Sequence, residues 1–311
     1  MKDRLWGGNK LKELFQKPSE TNTTGESWEL SGVHGDVSVV SNGTLLGKSL
    51  NDLIAKYGDI LLGKSVIARF GQEFPILIKF IDAKRDLSIQ LHPHDQLAKE
   101  RHNSFGKTEM WYIMDADPGA NLIVGFNKTV RKEEYKASLA NDTLLELLNY
   151  EKVGAGDTFF INTGKIHAIG AGILLAEIQQ TSDITYRVFD FNRRDKAGNL
   201  RELHTDLALD AIDYEKKDDF KVGYSQQKDK LNPMVDCPYF TTRFLNLTSN
   251  FTQDISKRDS FTIYLCVAGN ATIANDWGTT ELKKGETVLI AASSSQVVIT
   301  TSEAKILEVT I

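Results

Sequence analysis

The sequence predicts an all-β protein built of two β units with a small helical insert. Three observations lead there. Short runs rich in β-branched and aromatic residues recur along the chain, separated by Gly, Asn and Asp clusters. Helical periodicity is confined to a few stretches. The segment Gly156-Asp-Thr-Phe-Phe-Ile161 is echoed in type and order by Gly285-Glu-Thr-Val-Leu-Ile290, and Met110–Gly119 by Phe261–Gly269. Two echoes in the same order point to one β unit used twice.

Taken in order, the first unit has strand-like runs at Ser38–Val40, Ser65–Phe70, Ile76–Ile81, Leu87–Leu91, Met110–Met114, Leu122–Phe126, Thr158–Ile161, Leu174–Gln179 and Tyr186–Phe191. Leu50–Tyr57 reads as a helix capped by Ser49. Lys132–Tyr150, with apolar Leu139, Leu144, Leu145, Leu147 and Leu148, reads as a helix pair inserted between strands, and Asp206–Ile212 as a further helical turn or two. A polar stretch at Gly223–Pro233 reads as a linker. Beyond it come Phe240–Leu247, Phe261–Val267, Thr287–Ala291, Val297–Thr301 and Ile306–Ile311. The expected division is a larger domain over 1–225, with its insert near 132–150, and a smaller β domain over 226–311.

The 311 residues are enough for each domain to bury a core. A quarter of them are charged and the net charge is −5, which argues for a soluble protein without affinity for nucleic acid or membrane. Cys237 and Cys266 show no CxxC spacing and read as buried thiols of a reducing compartment. The N-terminus lacks an apolar signal core, so a cytoplasmic location is expected, for a monomer or homodimer.

Chemistry concentrates in two stretches, Ser88-Ile-Gln-Leu-His-Pro-His94 with Gly106-Lys-Thr-Glu109, and Gly156–His167. Gln90 and His92 stand two apart on a strand-like run and share a face, as do Lys107 and Glu109. His92, Glu109 and His167, with the Gln90 amide oxygen as a fourth, suit a divalent metal with an open position, and the imidazoles favour zinc. Taken singly, each has a plainer reading: a turn histidine, an ion-paired glutamate, a hydrogen-bonded strand histidine. Their joint placement at strand edges around one interior favours the metal. His92 ranks above His94, which follows Pro93, and His34, His102 and His204 read as solvated turn residues. Eleven residues after Gly156 comes His167; the same count from Gly285 gives Gln296, so the metal-type groups belong to the first unit alone.

Gly156, Gly164 and His167 fit the second motif of the cupin superfamily, with Asn162 where proline is usual. Gln90-Leu-His92 and the distant Lys107-Thr-Glu109 alter the first motif. Together with Leu5-Trp-Gly-Gly8, Gly25-Glu-Ser-Trp-Glu29, Gln-Leu-His-Pro-His-Asp95, Gly106-Lys-Thr-Glu-Met-Trp-Tyr112, His167-Ala-Ile-Gly-Ala-Gly172, Ala176–Asp183 and Thr185–Asp190, the pattern resembles the type I phosphomannose isomerases in their short bacterial form. The resemblance covers most of residues 4–215 and, more loosely, the tail. It implies cupin-type jelly-roll β units, a zinc shell of Gln90, His92, Glu109 and His167, and a sugar-phosphate site with Lys107, Glu177, Asp183 and Arg187. Long members of the family carry a histidine where Gly106 stands here, and a large helical domain where this chain has only 132–150.

The resemblance implies an activity that interconverts mannose 6-phosphate and fructose 6-phosphate by moving a proton between C1 and C2 through an enediol(ate), with Zn²⁺ expected to stabilise the charge on oxygen. Lys107, Glu177 and metal-bound water are the candidates for the proton shuttle, and Arg187 for phosphate or a developing oxyanion. Trp6, Trp28 and Trp111 read as core. The basic run Arg193–Lys196 with Arg201 reads as a solvated turn. A rival reading is a sugar-phosphate binding module or sensor with the metal but no turnover. A cupin oxygenase using Fe²⁺ ranks below both, because Gln90 replaces one of the histidines it would need.

Overall fold

In the computed structural model, which describes residues 1–195 and 197–311, strands dominate and the helices are short. Lys196, the last member of the basic run, lies outside the described residues. The chain forms two compact units, one of residues 1–27 and 79–222, the other of 28–78 and 223–311. Among the described residues, no helix is long and apolar enough to cross a membrane.

The first unit is built on two curled sheets. One runs Lys2–Gly8, Thr24–Leu30, Ile76–Ala83, Ile173–Gln180, Glu109–Ala116, Thr158–Ile161; the other runs Tyr186–Phe189, Ile89–Leu91, His167–Ile169, Asn121–Phe126, Leu148–Lys152. Ile76–Ala83 and Ile173–Gln180 are buried along their whole length, their polar members Lys79, Asp82, Glu177, Gln179 and Gln180 included. Ile81, Trp111, Ile113 and Ile173 of the first sheet pack with Leu122, Val124 and Ile169 of the second. Each such side chain contributes about 1.5–3 kcal/mol by burial. Trp6 and Trp111 are core residues as expected, whereas Trp28 is half-buried.

In the second unit one long strand, Thr262–Asn275, serves several partners. Its first half pairs with Ala304–Thr310 and Thr287–Ile290, its second with Gly278–Lys283 and Gln296–Thr300. The change falls at a bulge between Cys266 and Ala268, beside Gly269 at φ 71°. A Cβ on Gly269 would lie 2.2 Å from the Glu303 carbonyl oxygen, so only glycine makes this bend.

The sequence echo is also an echo of register. Ile161 faces Glu109 across one strand pair, and Ile290 faces Thr262 across the other. One strand further on, Glu177 faces Trp111, and Glu308 faces Tyr264. In both places the aromatic donates to the glutamate: Trp111 Nε1 to Glu177 Oε2 at 3.0 Å, and Tyr264 OH to Glu308 Oε2 at 3.2 Å. A buried glutamate with an aromatic donor and a basic partner thus occurs in each unit, while Thr262 stands where the first unit has Glu109.

Glu308 is fully buried, 2.9 Å from Arg243 and 3.1 Å from Arg258. Removing the carboxylate leaves two partly buried guanidiniums without their counter-charge, with the Thr310 and Thr262 hydroxyls as remaining polar partners. Glu308→Ala is therefore expected to lower unfolding free energy by about 3 kcal/mol, readable as a lower denaturant midpoint. A change below about 1 kcal/mol would mean that both arginines swing freely to water.

Several expected elements differ. Ser65–Phe70 is helical, within Lys64–Phe70, because Asp259 Oδ1 and Oδ2 accept from the Lys64 and Ser65 N–H groups at 2.7 and 2.9 Å. A cap supplied from so far along the chain leaves no local signal. Ser38–Val40 makes only a bridge, Val39 to Ser49. The expected helix pair over 132–150 is one α-helix, Lys132–Ala140, a 3₁₀ turn at Leu144–Leu147, and a strand, Leu148–Lys152. The linker shades into a strand at Leu231–Asp236, where Pro233 is tolerated at a sheet edge. Leu50–Tyr57 is helical as expected, with Ser49 and Asp52 forming a reciprocal capping box.

Candidate metal centre

His92 follows the short strand Ile89–Leu91, and Pro93 stops that strand so that His94 can cap the helix Asp95–His102. His94 is thereby occupied: its Nδ1 accepts from the Leu97 N–H at 3.3 Å. His167 opens the strand His167–Ile169, where it is the register partner of both Gln90 and Val124. Glu109 opens Glu109–Ala116, with Lys107 two residues before it. Three strand ends therefore deliver these groups to one buried place.

The ligand atoms of His92, Glu109 and His167 lie within 4.8 Å of one another, and all three residues are buried. His92 Nε2 is 3.6 Å from Glu109 Oε2, and His167 Nε2 is 3.5 Å from Glu109 Oε1. Ligand atoms about 2 Å from a tetrahedral zinc stand a little over 3 Å apart, so the spacing suits such an ion. Each imidazole Nδ1 faces a backbone carbonyl at 2.8 Å, Ile184 O for His92 and Lys165 O for His167. That fixes the tautomer with the Nε2 lone pair turned towards Glu109. Burial, reinforced by the charge of Lys107, pushes His167 down to about 3 and His92 well below the ordinary histidine value, so both rings are neutral.

Glu109 Oε1 and His167 Nε2 are buried and, among the described residues, have no hydrogen-bond partner. An orphaned buried polar atom costs about 1–3 kcal/mol, which a bound cation would recover. Burial raises the Glu109 carboxyl to about 7, against the pull of Lys107. Gln90 shares the face of His167 by register; its Oε1 accepts from Ser88 Oγ at 3.3 Å.

Around this triad the structure gathers a second layer of charge. Lys107 Nζ donates to Glu109 Oε2 at 2.7 Å and to His92 Nε2 at 2.9 Å. Burial alone would lower its ammonium, but Glu109 and Glu177 outweigh that and raise it. Glu177 accepts from Lys79 Nζ at 2.9 Å and from Trp111 Nε1. Burial would raise its carboxyl; Lys79 and Lys107 hold it down instead. Lys79 also donates to Gln179 Oε1 at 2.6 Å. Arg187 lies on Tyr186–Phe189 as the register partner of Gln90. Asp183 is exposed on the loop before that strand, outside the buried group.

Lys79 and Ser88 were given no role by the sequence reading. Lys79 carried a signal, being a lone cation inside the apolar run Ile76–Ile81 and 6 % exposed. His204 is half-buried and bonded to Arg187 rather than solvated.

At Gly106, a Cβ would fall 2.8 Å from both the backbone N and Oδ1 of Asp95. The helix N-terminus fills the space a histidine would need. Gly106→His is expected to cost about 1–3 kcal/mol in denaturant unfolding and to add no activity. A variant as stable as the parent and faster would show that the helix start yields.

These residues sit within a chain whose relatives are known. Residues 1–119 match the family described as phosphomannose isomerase type I, catalytic domain, and residues 230–311 match mannose-6-phosphate isomerase, cupin domain. The chain is 39% identical over 242 residues to mannose-6-phosphate isomerase of Streptococcus mutans, covering 78% of this chain and 75% of that one. It is 35% identical over 293 residues to mannose-6-phosphate isomerase ManA of Bacillus subtilis, covering 93% and 90%. The crystal structure of the mannose 6-phosphate isomerase from Bacillus subtilis superimposes with a TM-score of 0.89 at 30% identity, covering 100% of this chain and 96% of that one. A motif series in order, a cupin fold and this breadth of similarity agree: the chain belongs to the type I phosphomannose isomerase family.

Proposed function

We propose that the chain is a zinc-dependent aldose–ketose isomerase interconverting mannose 6-phosphate and fructose 6-phosphate, with residues 1–225 carrying the chemistry and 226–311 a smaller supporting β unit without metal ligands. It would act in the cytoplasm on a small-molecule sugar phosphate, as a monomer or homodimer. The observation that carries this reading is the buried His92, Glu109, His167 triad with two unpartnered atoms turned towards each other. Gln90 completes the ligand set.

A divalent cation held by His92, Glu109, His167 and Gln90 would supply positive charge to stabilise the negative charge of an enediolate. Lys107 moves the proton between C1 and C2. Its ammonium reaches two of the three candidate ligand residues, which supports that role. It is held charged by Glu109 and Glu177 against the effect of burial; a cation held by His92, Glu109 and His167 would weaken the Glu109 hold. Glu177 balances Lys107 and, through Lys79 and Trp111, keeps the floor of the site rigid. Arg187, with Nε and Nη1 fixed on Ser88 and Glu202, offers its remaining donors to phosphate or oxyanion, and Asp183 stands at the rim.

The test is an isomerase assay on mannose 6-phosphate with chelator and with added zinc. Turnover lost to chelator and restored by zinc is the expected result. Zinc held tightly without turnover on any aldose phosphate would overturn it in favour of a binding module.

A further inference from the structure

The strand Tyr186–Phe189 lies at the edge of its sheet, and its pairing with Ile89–Leu91 slips register between Arg187 and Phe189. A bulged edge strand turns one row of backbone groups away from the ladder and frays readily. At Arg187 that row has a partner. The Arg187 N–H donates to His204 Nδ1 at 3.1 Å, and the Arg187 carbonyl accepts from the His204 N–H at 2.7 Å. One residue takes the place of an adjoining strand, with a ring nitrogen standing in for a carbonyl. The same segment reaches the side chain, since Arg187 Nη1 donates to Glu202 O at 2.8 Å. From the other side, Arg187 Nε donates to Ser88 Oγ at 3.3 Å, and Ser88 bonds Gln90.

We propose that His204 is a positioning residue for Arg187, setting the guanidinium's approach to the substrate's anionic oxygens through its Nδ1 acceptor. This rests on the isomerase reading above. No capping role competes for the ring, since His204 precedes the helical turn Thr205–Ala208 yet its side chain makes no capping bond there. With Nδ1 accepting, the proton sits on Nε2, which faces Glu202 Oε2 at 4.0 Å. Burial first, then the charges of Arg187 and His102, lower the His204 pKa against Glu202, so the lone pair stays available. A clamp on the Arg187 backbone and guanidinium restricts the arginine before substrate arrives, so less freedom is lost on binding.

His204→Phe keeps a ring and removes the acceptor; His204→Asn keeps an oxygen near the Nδ1 position. With mannose 6-phosphate, H204F is expected to lower kcat/KM about tenfold, and H204N to stay within about threefold, at equal metal content. In an Arg187→Ala background the H204F effect should shrink below about twofold, because nothing is left to position. The Arg187 amide should exchange with deuterium faster in H204F than in H204N. Equal losses with and without Arg187, or an asparagine variant as poor as the phenylalanine one, would overturn the proposal. A parent chain that does not isomerise sugar phosphates would sink the proposed function instead. The amide exchange then decides the clamp alone, and unchanged exchange in H204F overturns it.

Discussion

His167→Ala is expected to lose metal binding and turnover together while leaving the metal-free fold nearly as stable as before. The imidazole is one of three buried groups of the proposed metal site, and among the described residues its Nε2 has no hydrogen-bond partner. Deleting it removes an orphaned atom that costs about 1–3 kcal/mol, which offsets much of the lost packing against Trp111. Metal affinity should fall by at least two orders of magnitude, since outer partners of metal ligands alone are worth about 10–100-fold. If the cation contributes several kcal/mol to the enediolate, turnover should fall on the order of a thousandfold or more. Zinc content by titration, stability by denaturant and the isomerase assay read the three quantities separately. A variant that keeps its metal would remove His167 from the shell. The pH dependence has a defined sign. The Glu109 carboxyl, raised to about 7 by burial, must lose its proton to bind a cation. Affinity should therefore weaken as pH falls below about 7, and loading near pH 6 should release a proton that loading near pH 8 does not.

How much of this was legible beforehand depends on where each signal resides. The cupin-like strands showed because their apolar runs and glycine turns are local. The candidate His92, Glu109, His167 group was legible in part because the Gln90/His92 and Lys107/Glu109 pairs stand two apart, and period-two spacing forces a shared face. Ser65–Phe70 misled because its helix start is capped by Asp259, from the far end of the chain. The Leu148–Lys152 strand hid because Leu144–Leu148 extends the apolar content of the preceding helix, and only pairing with Asn121–Phe126 decides between the two states. Lys79 and His204 were missed for a third reason. Each acts through a partner brought by folding, Glu177 in one case and Arg187 in the other, and a single residue type carries no address for such a contact.

Lys107→Met should separate two roles that act in opposite directions. The Lys107 ammonium donates to Glu109 Oε2 and His92 Nε2, two of the atoms a cation would use. Its charge repels that cation across a short distance in a buried place. A unit charge at about 4 Å is worth roughly 4 kcal/mol at an effective dielectric of 20. Removing it leaves the ligand atoms in need of a partner, so zinc affinity is expected to rise by about tenfold or more. Turnover should move the other way, falling about 10²–10⁴-fold with KM little changed, as befits loss of a proton shuttle. A lysine that merely neutralises Glu109 would let turnover survive the change, because the bound metal takes over that neutralisation. A lysine that moves the proton would not, however tightly the metal is held. Measuring zinc affinity and kcat on the same preparation distinguishes them: a rise in one with a collapse of the other assigns the proton to Lys107, and turnover within about tenfold of the parent returns it to Glu177 or to a metal-bound water.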